Sequence, residues 1–378
     1  MQKKLTVFSF FSGIGILDLA FERNGYNIVF VNEYDHRFIS AYQYARQQMH
    51  LNTPIYGYHN DSAERYAKRR GKRNLIELIA KEREKGNVVG FIGGPPCPDF
   101  SVAGKNAGAS GKNGRLTKVY FDIICRCKPD FFLFENVKGL VKTEKHRVFY
   151  NEMKRKVQAN NYLFDDKIIN SLAYGVPQFR ERAFMIGINK DIFRVVPNFF
   201  SFDWDRYSLF NTENILARKW PTTRDFEVDG SFKFIFPDIP QELTVEYWFD
   251  KNDVIHHING NDVFTVKKGR EKIATIQEGD TSRKSFKRLH RWRYSPTAAY
   301  GHNEVHLHPY KERRISVAEA MAIQSIPKEF IVLPMLSLSD KFKMIGNGVP
   351  YLMAAAIAKT LKETLKEIQE GNNETNRN

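Results

Sequence analysis

Cysteine is scarce in this chain: Cys97, Cys125 and Cys127 are the only three among 378 residues. That scarcity excludes a disulfide-stapled scaffold and any cysteine-based zinc site. Cys125 and Cys127 stand too close to bridge easily, so a reducing, cytoplasmic compartment is expected. Long apolar runs are missing too. No stretch of about eighteen apolar residues occurs, and no membrane span is predicted. The start, Met1 to Phe8, is basic and then apolar, as in a secretory leader. Ser12-Gly13-Ile14-Gly15 and the charges after it break that pattern, and the segment reads as a first strand. Histidine gathers at His256-His257 and at His302, His306 and His308. No carboxylate–histidine motif accompanies them, so no metal is expected. No internal repeat is evident, which argues against a solenoid.

Acidic residues are the minority charge. Lys and Arg number 58 against 43 Asp and Glu, for a formal charge of +15. The imbalance favours a polyanionic partner, nucleic acid ahead of a membrane surface. One basic cluster holds Arg65, Lys68, Arg69, Arg70, Lys72 and Arg73. A second holds Arg283, Lys284, Lys287, Arg288, Arg291 and Arg293, interleaved by Phe286, Trp292 and Tyr294. Cations with aromatics can contact both phosphates and bases, although a solvated basic face has the same sequence.

What is present in the first half is a βαβ rhythm. Strands are predicted at Leu5–Phe11, Ile28–Val31, Val88–Ile92, Phe131–Phe134 and Ala183–Ile188. Helices are predicted at Ile16–Asn24, from about Arg37, and at Leu75–Lys85, Val119–Cys127 and Phe149–Asn160. This alternation implies an α/β fold with a doubly wound, mostly parallel sheet. After about residue 190 helical periodicity fades. Ile255 to Val266 reads as a hairpin, and the region as a smaller, irregular β-rich domain. Helical pattern returns at Val317–Ser325 and Pro350–Ile368, and the polar tail Gly371–Asn378 reads as frayed. The boundaries drawn are 1–189, 190–335 and 336–378.

Five segments carry the functional signal. Val88-Val89-Gly90-Phe91-Ile92 runs into Gly93-Gly94-Pro95-Pro96-Cys97-Pro98. Three prolines end the strand in a stiff turn and hold one thiol at its carboxyl end, where open α/β sheets bind ligands. The rival reading is a turn with an incidental cysteine. Phe11-Ser12-Gly13-Ile14-Gly15 ends the first strand and opens a helix whose N-terminus suits a negative group. Glu33 follows Gly13 by the spacing that reaches ribose hydroxyls. The third glycine of the dinucleotide fingerprint is replaced by Asp18. A nucleoside with a carboxylate tail, such as S-adenosylmethionine, therefore fits better than a pyrophosphate, and a Rossmann dehydrogenase is disfavoured. Phe131 to Phe134 ends in Glu135-Asn136-Val137; a carboxylate there is desolvated and suited to sharing a proton with a base ring, or is an ion-pair partner. Gln178, Arg180 and Arg182 share one face at period two, fit for a carbonyl or phosphate unless the strand is an exposed edge. Ser101 to Leu116, rich in glycine and lysine, reads as a mobile basic lid beside Cys97.

In this order these segments resemble the DNA (cytosine-5)-methyltransferase family. Phe11-Ser12-Gly13-Ile14-Gly15, Glu33 and Asn60-Asp61-Ser62 are similar to its cofactor motifs, and Pro95-Pro96-Cys97 to its catalytic motif. Glu135-Asn136-Val137 and Gln178 to Arg182 are similar to those that hold the target base. Arg313 to Pro327 and Gly346-Asn347-Gly348-Val349-Pro350 are similar to the last two motifs. Pro98 replaces the usual Gln, and Gly348 a frequent Ser. The resemblance implies S-adenosylmethionine-dependent methylation at C5 of a flipped cytosine in duplex DNA, within a bacterial restriction-modification system. Cys97 would be the nucleophile; Glu135 would bond N3 and the exocyclic amine, and Arg182 with Arg180 would hold the carbonyl. Cofactor contacts would come from Phe11, Gly13, Ile14, Gly15, Glu33, Asp61, Pro96, Leu116, Asn347 and Gly348. The interval from about Ala183 to Glu312 would be the target-recognition domain. The protein would act as a monomer on nucleoid DNA. An RNA (tRNA) cytosine-5 methyltransferase and a non-catalytic DNA-binding relative are the alternatives.

Overall fold

The computed structural model describes residues 4–96, 112–193, 200–230, 236–265, 270–283, 285–298, 300 and 304–375. Seven strands form one sheet: β1 Leu5–Phe10, β2 Tyr26–Asn32, β3 Tyr58–His59, β4 Val88–Gly93, β5 Phe131–Val137, β6 Tyr162–Asn170 and β7 Glu181–Asn189. Their order is β3-β2-β1-β4-β5-β7-β6. The first five are parallel, and β7 runs antiparallel to both β5 and β6. Helices cover both faces. That is why β4 and the first half of β5 are continuous apolar runs rather than alternating ones.

Strand order reverses between β1 and β4, so the crevice beyond their carboxyl ends is the place for a ligand. Phe10 is in register with Gly93, which sets the loop after β1 beside the Pro-Pro turn after β4. The helix Ile16–Arg23 packs against the long helix Tyr351–Thr375. Tyr26 donates its hydroxyl to Ala358 O (3.0 Å), and Met353, Ile357 and Leu361 join the core under β1 and β2. The chain thus returns to the sheet after its irregular region.

Several expectations need correction. The helix Lys112–Cys127 begins early, so Gly114, Arg115 and Leu116 are helical rather than loop; residues 101–111 of the expected lid lie outside the described residues. The expected hairpin at 255–266 is instead a short 3-10 turn, Ile258–Asn261, in its described part. Asn259 holds that turn: its side chain accepts from Val332 N (3.0 Å) and donates to Val332 O (2.9 Å). A side-chain amide here does what a strand partner would have done. Among the described residues, 190–335 contains no sheet strand, only isolated bridges and short helices, so the region is irregular but not β-rich. The C-terminal helix runs on to Thr375 through part of the expected tail.

The irregular region folds around buried ion pairs. Glu319, buried in the helix Val317–Ile323, closes a capping box with Ser316 and takes a bidentate pair from Arg313 (2.7 and 2.8 Å). Burial alone would raise its pKa. The Arg313 hydrogen bonds and neighbouring His308 outweigh it and hold the carboxyl well below the usual range. Its stabilisation is therefore complete above the ordinary carboxylate pKa of 4.5 and is lost as pH falls through the lower folded value. Glu319→Gln should cost about 1.5–3 kcal/mol, because it removes the charge that accepts both Arg313 hydrogen bonds. Urea melts at pH 7 would show it as a lower midpoint, and the difference from the parent should shrink in acid.

Candidate active site

The end of β5 meets the turn after β4. A Cβ on Gly94 would lie 2.7 Å from Glu135 Oε2, so only glycine lets this carboxylate approach the turn. Asn136 adds a hydrogen bond from its side-chain amide to Pro95 O (3.4 Å). Neither the role of Gly94 nor the Asn136 contact was readable from sequence, since both join residues 41 apart in the chain. Cys97 itself lies outside the described residues; Pro95 is buried and Pro96 exposed immediately before it. The other two thiols are free but packed in the core, and burial pushes Cys125 up to about 11 and Cys127 up to about 12. Neither is a thiolate near neutral pH, so neither can serve as a nucleophile.

Glu135 is buried, 8% exposed, and burial raises its pKa against the opposing pull of Arg182 and then Arg180. Arg182 Nε lies 3.1 Å from Glu135 Oε1, because Val137 and Arg182 pair across the antiparallel β5–β7 ladder. The sequence placed these two in separate motifs; the sheet brings them together. Arg180, expected beside Arg182, is fully buried; it lies within electrostatic reach of Glu135 and Arg182, and its Nε has no hydrogen-bond partner among the described residues. Its Nη1 donates to Ala298 O (3.2 Å) and its Nη2 to Gly346 O (2.7 Å) and Gly348 O (3.0 Å). Its two Nη groups are thus tied to two backbone segments, at 298 and 346–348. Gln178 is also fully buried, next to a bridge with Ser295, so this stretch is an internal seam and not an exposed edge.

The loop after β1 is organised around Glu33. Its Oε2 accepts from Gly13 N (2.9 Å) and its Oε1 from Asp35 N (3.0 Å). Burial nonetheless raises the Glu33 pKa. Phe11, Gly13 and Gly15 all take positive φ, which turns the backbone sharply before the helix Ile16–Arg23. That helix carries no side-chain cap, and the buried Ser12 hydroxyl has no hydrogen-bond partner among the described residues. Asp61 is fixed by Asn32, whose amide donates to its Oδ1 (2.9 Å), and by Arg65 (2.6 Å). Asp18, read from sequence only as the missing glycine, is a buried carboxyl that accepts from Ser9 and Tyr42 (both 2.8 Å). Burial pushes it up to about 6. Leu116 and Ile14 are half-buried and buried respectively, and Asn347 is exposed at the end of the helix Leu338–Asn347. A Cβ on Gly348 would sit 2.5 Å from Ile16 Cδ1, so a serine there would need the Ile16 side chain to shift.

This arrangement fits a nucleoside bearing a charged tail. A carboxylate stands just past the end of β2 at Glu33, a second acid lies beyond it at Asp61, and the helix Ile16–Arg23 begins without a side-chain cap beside an unpartnered Ser12 hydroxyl, groups of the kind that hold ribose hydroxyls and an anion. Among the described residues no group of three or more metal-binding side chains occurs.

A family profile for C-5 cytosine-specific DNA methylases matches residues 5–363. The Type II methyltransferase M.NmeDI of Neisseria meningitidis serogroup C is 50% identical over 366 residues, 97% of this chain and 85% of that protein. The Type II methyltransferase M.FnuDI of Fusobacterium nucleatum is 29% identical over 374 residues, with 96% of each covered. In fold, the chain is similar to a solved Entamoeba histolytica methyltransferase, EhMeth: TM-score 0.59 and 14% identity, covering 96% of this chain and 99% of the other.

Proposed function

The chain belongs to the C-5 cytosine-specific DNA methylase family, and from that premise we propose how its residues divide the reaction. Carbon 5 of cytosine is a poor nucleophile. Addition of the Cys97 thiolate at C6 makes C5 enamine-like, which is covalent catalysis. Glu135 hydrogen-bonds N3 and the exocyclic amine and passes a proton to the ring as charge develops. Arg182 holds the carbonyl and keeps Glu135 oriented. Loss of the C5 proton and expulsion of the thiol complete the cycle. S-adenosylmethionine, when bound, supplies an electrophilic methyl group. Glu33 would hold its ribose, Asp61 its adenine amine, and the Gly13–Gly15 turn with Ser12 its carboxylate. Phe11, Ile14, Pro96, Leu116 and Asn347 would line the same pocket. The observation that carries this reading is the Glu135–Arg182 pair set against Gly94.

The target base must leave the stack to meet groups on both of its faces, at a cost of a few kcal/mol. Residues 1–189 with 336–378 would hold cofactor and chemistry, and 190–335 would read the duplex. One chain supplies every group named, as a monomer on DNA requires. The name of the 50%-identical relative supports the modification half of a Type II restriction system. Among the described residues no helix is long and apolar enough to cross a membrane.

Bisulfite sequencing of DNA from cells expressing the protein should reveal 5-methylcytosine in one sequence context. Unmodified DNA together with methylated tRNA would favour the RNA reading. Affinity for duplex should also fall steeply with salt. About six to ten phosphate contacts imply a loss of roughly 10³ to 10⁵ between 50 and 200 mM, measured by fluorescence anisotropy.

A further inference from the structure

The second basic cluster contains two kinds of cation. Arg288 is fully buried: its Nε donates to Ile276 O (2.8 Å), its Nη1 to His308 O (2.6 Å) and its Nη2 to Ile273 O (2.6 Å). Arg291 forms a buried bidentate pair with Glu278, at 2.9 Å for both contacts. These guanidiniums hold the irregular region together and face inward.

Lys287 and Arg293 are different. Both line a half-open cleft of about 400 Å³, with Thr281, Phe179, Tyr294 and Thr297. Neither side chain makes an ion pair or hydrogen bond among the described residues, and no carboxylate among them lines the cleft. His290, also in the wall, adds no charge, because burial pushes it down to about 4. The aromatic side of the cleft is fixed. Tyr294 packs edge-on against Trp220 at 4.9 Å, and Phe179 belongs to the same small apolar cluster.

The cleft shares Phe179 with the segment that leads into Arg180 and Arg182. Thr297 donates its hydroxyl to Phe179 O (2.7 Å), and Phe179 N donates to Ser295 O (2.8 Å). Phe179 immediately precedes Arg180 and lies three residues before Arg182. Phe179 thus ties the wall of the cleft to the strand that carries Arg182.

Two donor-only cations, a hydroxyl and a flat aromatic wall without a carboxylate suit an acceptor-bearing planar edge. Guanine presents such an edge, O6 and N7, in the major groove. We propose that Lys287 and Arg293 read guanine edges beside the target cytosine and so set part of the recognised sequence. This rests on the reading of duplex DNA as substrate. A phosphate contact would need only charge, and the recessed aromatic wall would have no part in it.

The test separates specificity from catalysis. Full-length parent, Lys287→Ala and Arg293→Ala are used to select bound duplexes from a randomised library without methyl donor. The parent should return a consensus containing guanine. Each variant should lose preference at one guanine by roughly 5- to 150-fold, the scale of one base contact. Lys287→Arg and Arg293→Lys keep the charge and guard against misfolding, and they should alter the preference less. Uniform weakening with an unchanged consensus in all four variants would overturn the proposal, as would a parent consensus without guanine or no consensus at all. Bisulfite sequencing with the same parent protein reports methyl transfer separately, so failure of the catalytic reading leaves the selection result standing.

Discussion

Replacing Cys97 with alanine should lower methyl transfer to duplex DNA by roughly 10⁶-fold, the scale on which loss of a covalent nucleophile acts. Binding of duplex and of S-adenosylmethionine should survive. The thiol is asked to do chemistry and not recognition, and the groups proposed for cofactor contact come mainly from the loop after β1 and the end of β2. No other cysteine can substitute. Cys125 and Cys127 are buried, with pKa values pushed up to about 11 and about 12. Alanine is the better probe than serine, since it removes the nucleophile without adding a hydroxyl to the turn. Tritium transfer from labelled cofactor measures the rate, and gel shift or anisotropy measures binding. A variant that binds but retains more than about a hundredth of the parent rate would argue for activation of cytosine without a covalent thiol.

Glu135→Gln should lower kcat by about 10² to 10⁴-fold with a smaller change in KM, the usual worth of a positioned proton donor. Glutamine keeps the shape and can still hydrogen-bond, so Gly94 and the β5 end stay packed. What it lacks is a transferable proton. The sign of the pH effect follows from the raised pKa of Glu135, which burial causes and Arg182 and Arg180 only partly oppose. The protonated acid is the competent form, so the parent rate should fall as pH rises through that raised value. The glutamine variant should lack this alkaline limb. A full pH–rate profile of kcat/KM for both proteins checks it. An unchanged alkaline limb in the variant would move the proton to another group.

Much of this site was legible in sequence because its chemistry sits at strand ends. Apolar runs that stop at Phe10, Gly93 and Phe134 announce β1, β4 and β5, and the residues just beyond each stop carry the function. β6 was not legible: Asp165, Asp166 and Lys167 interrupt its apolar pattern at the sheet edge. The antiparallel sense of β7 was equally hidden, yet it is what sets Arg182 against Glu135. The backbone partners of Arg180 were hidden for a physical reason. Period-two spacing puts it on the face of Arg182, but the strand begins only at Glu181, and the residues before it turn into the seam with 295–298. The irregular region was least readable. Its hairpin signal at Asn259-Gly260 is real turn chemistry, used here for a 3-10 turn held by side-chain hydrogen bonds to a distant backbone.

The claim on which the whole account turns is a carbon–sulfur bond between this chain and its substrate. A duplex carrying 5-fluorocytosine at the methylated position cannot lose a proton from C5, so the cycle should stop at the adduct. Incubated with S-adenosylmethionine, the protein should become covalently attached to that strand. Peptide mass spectrometry should then place the modified nucleotide on Cys97. Multiple turnover on the fluorinated duplex with no adduct, or an adduct on any other residue, would contradict it.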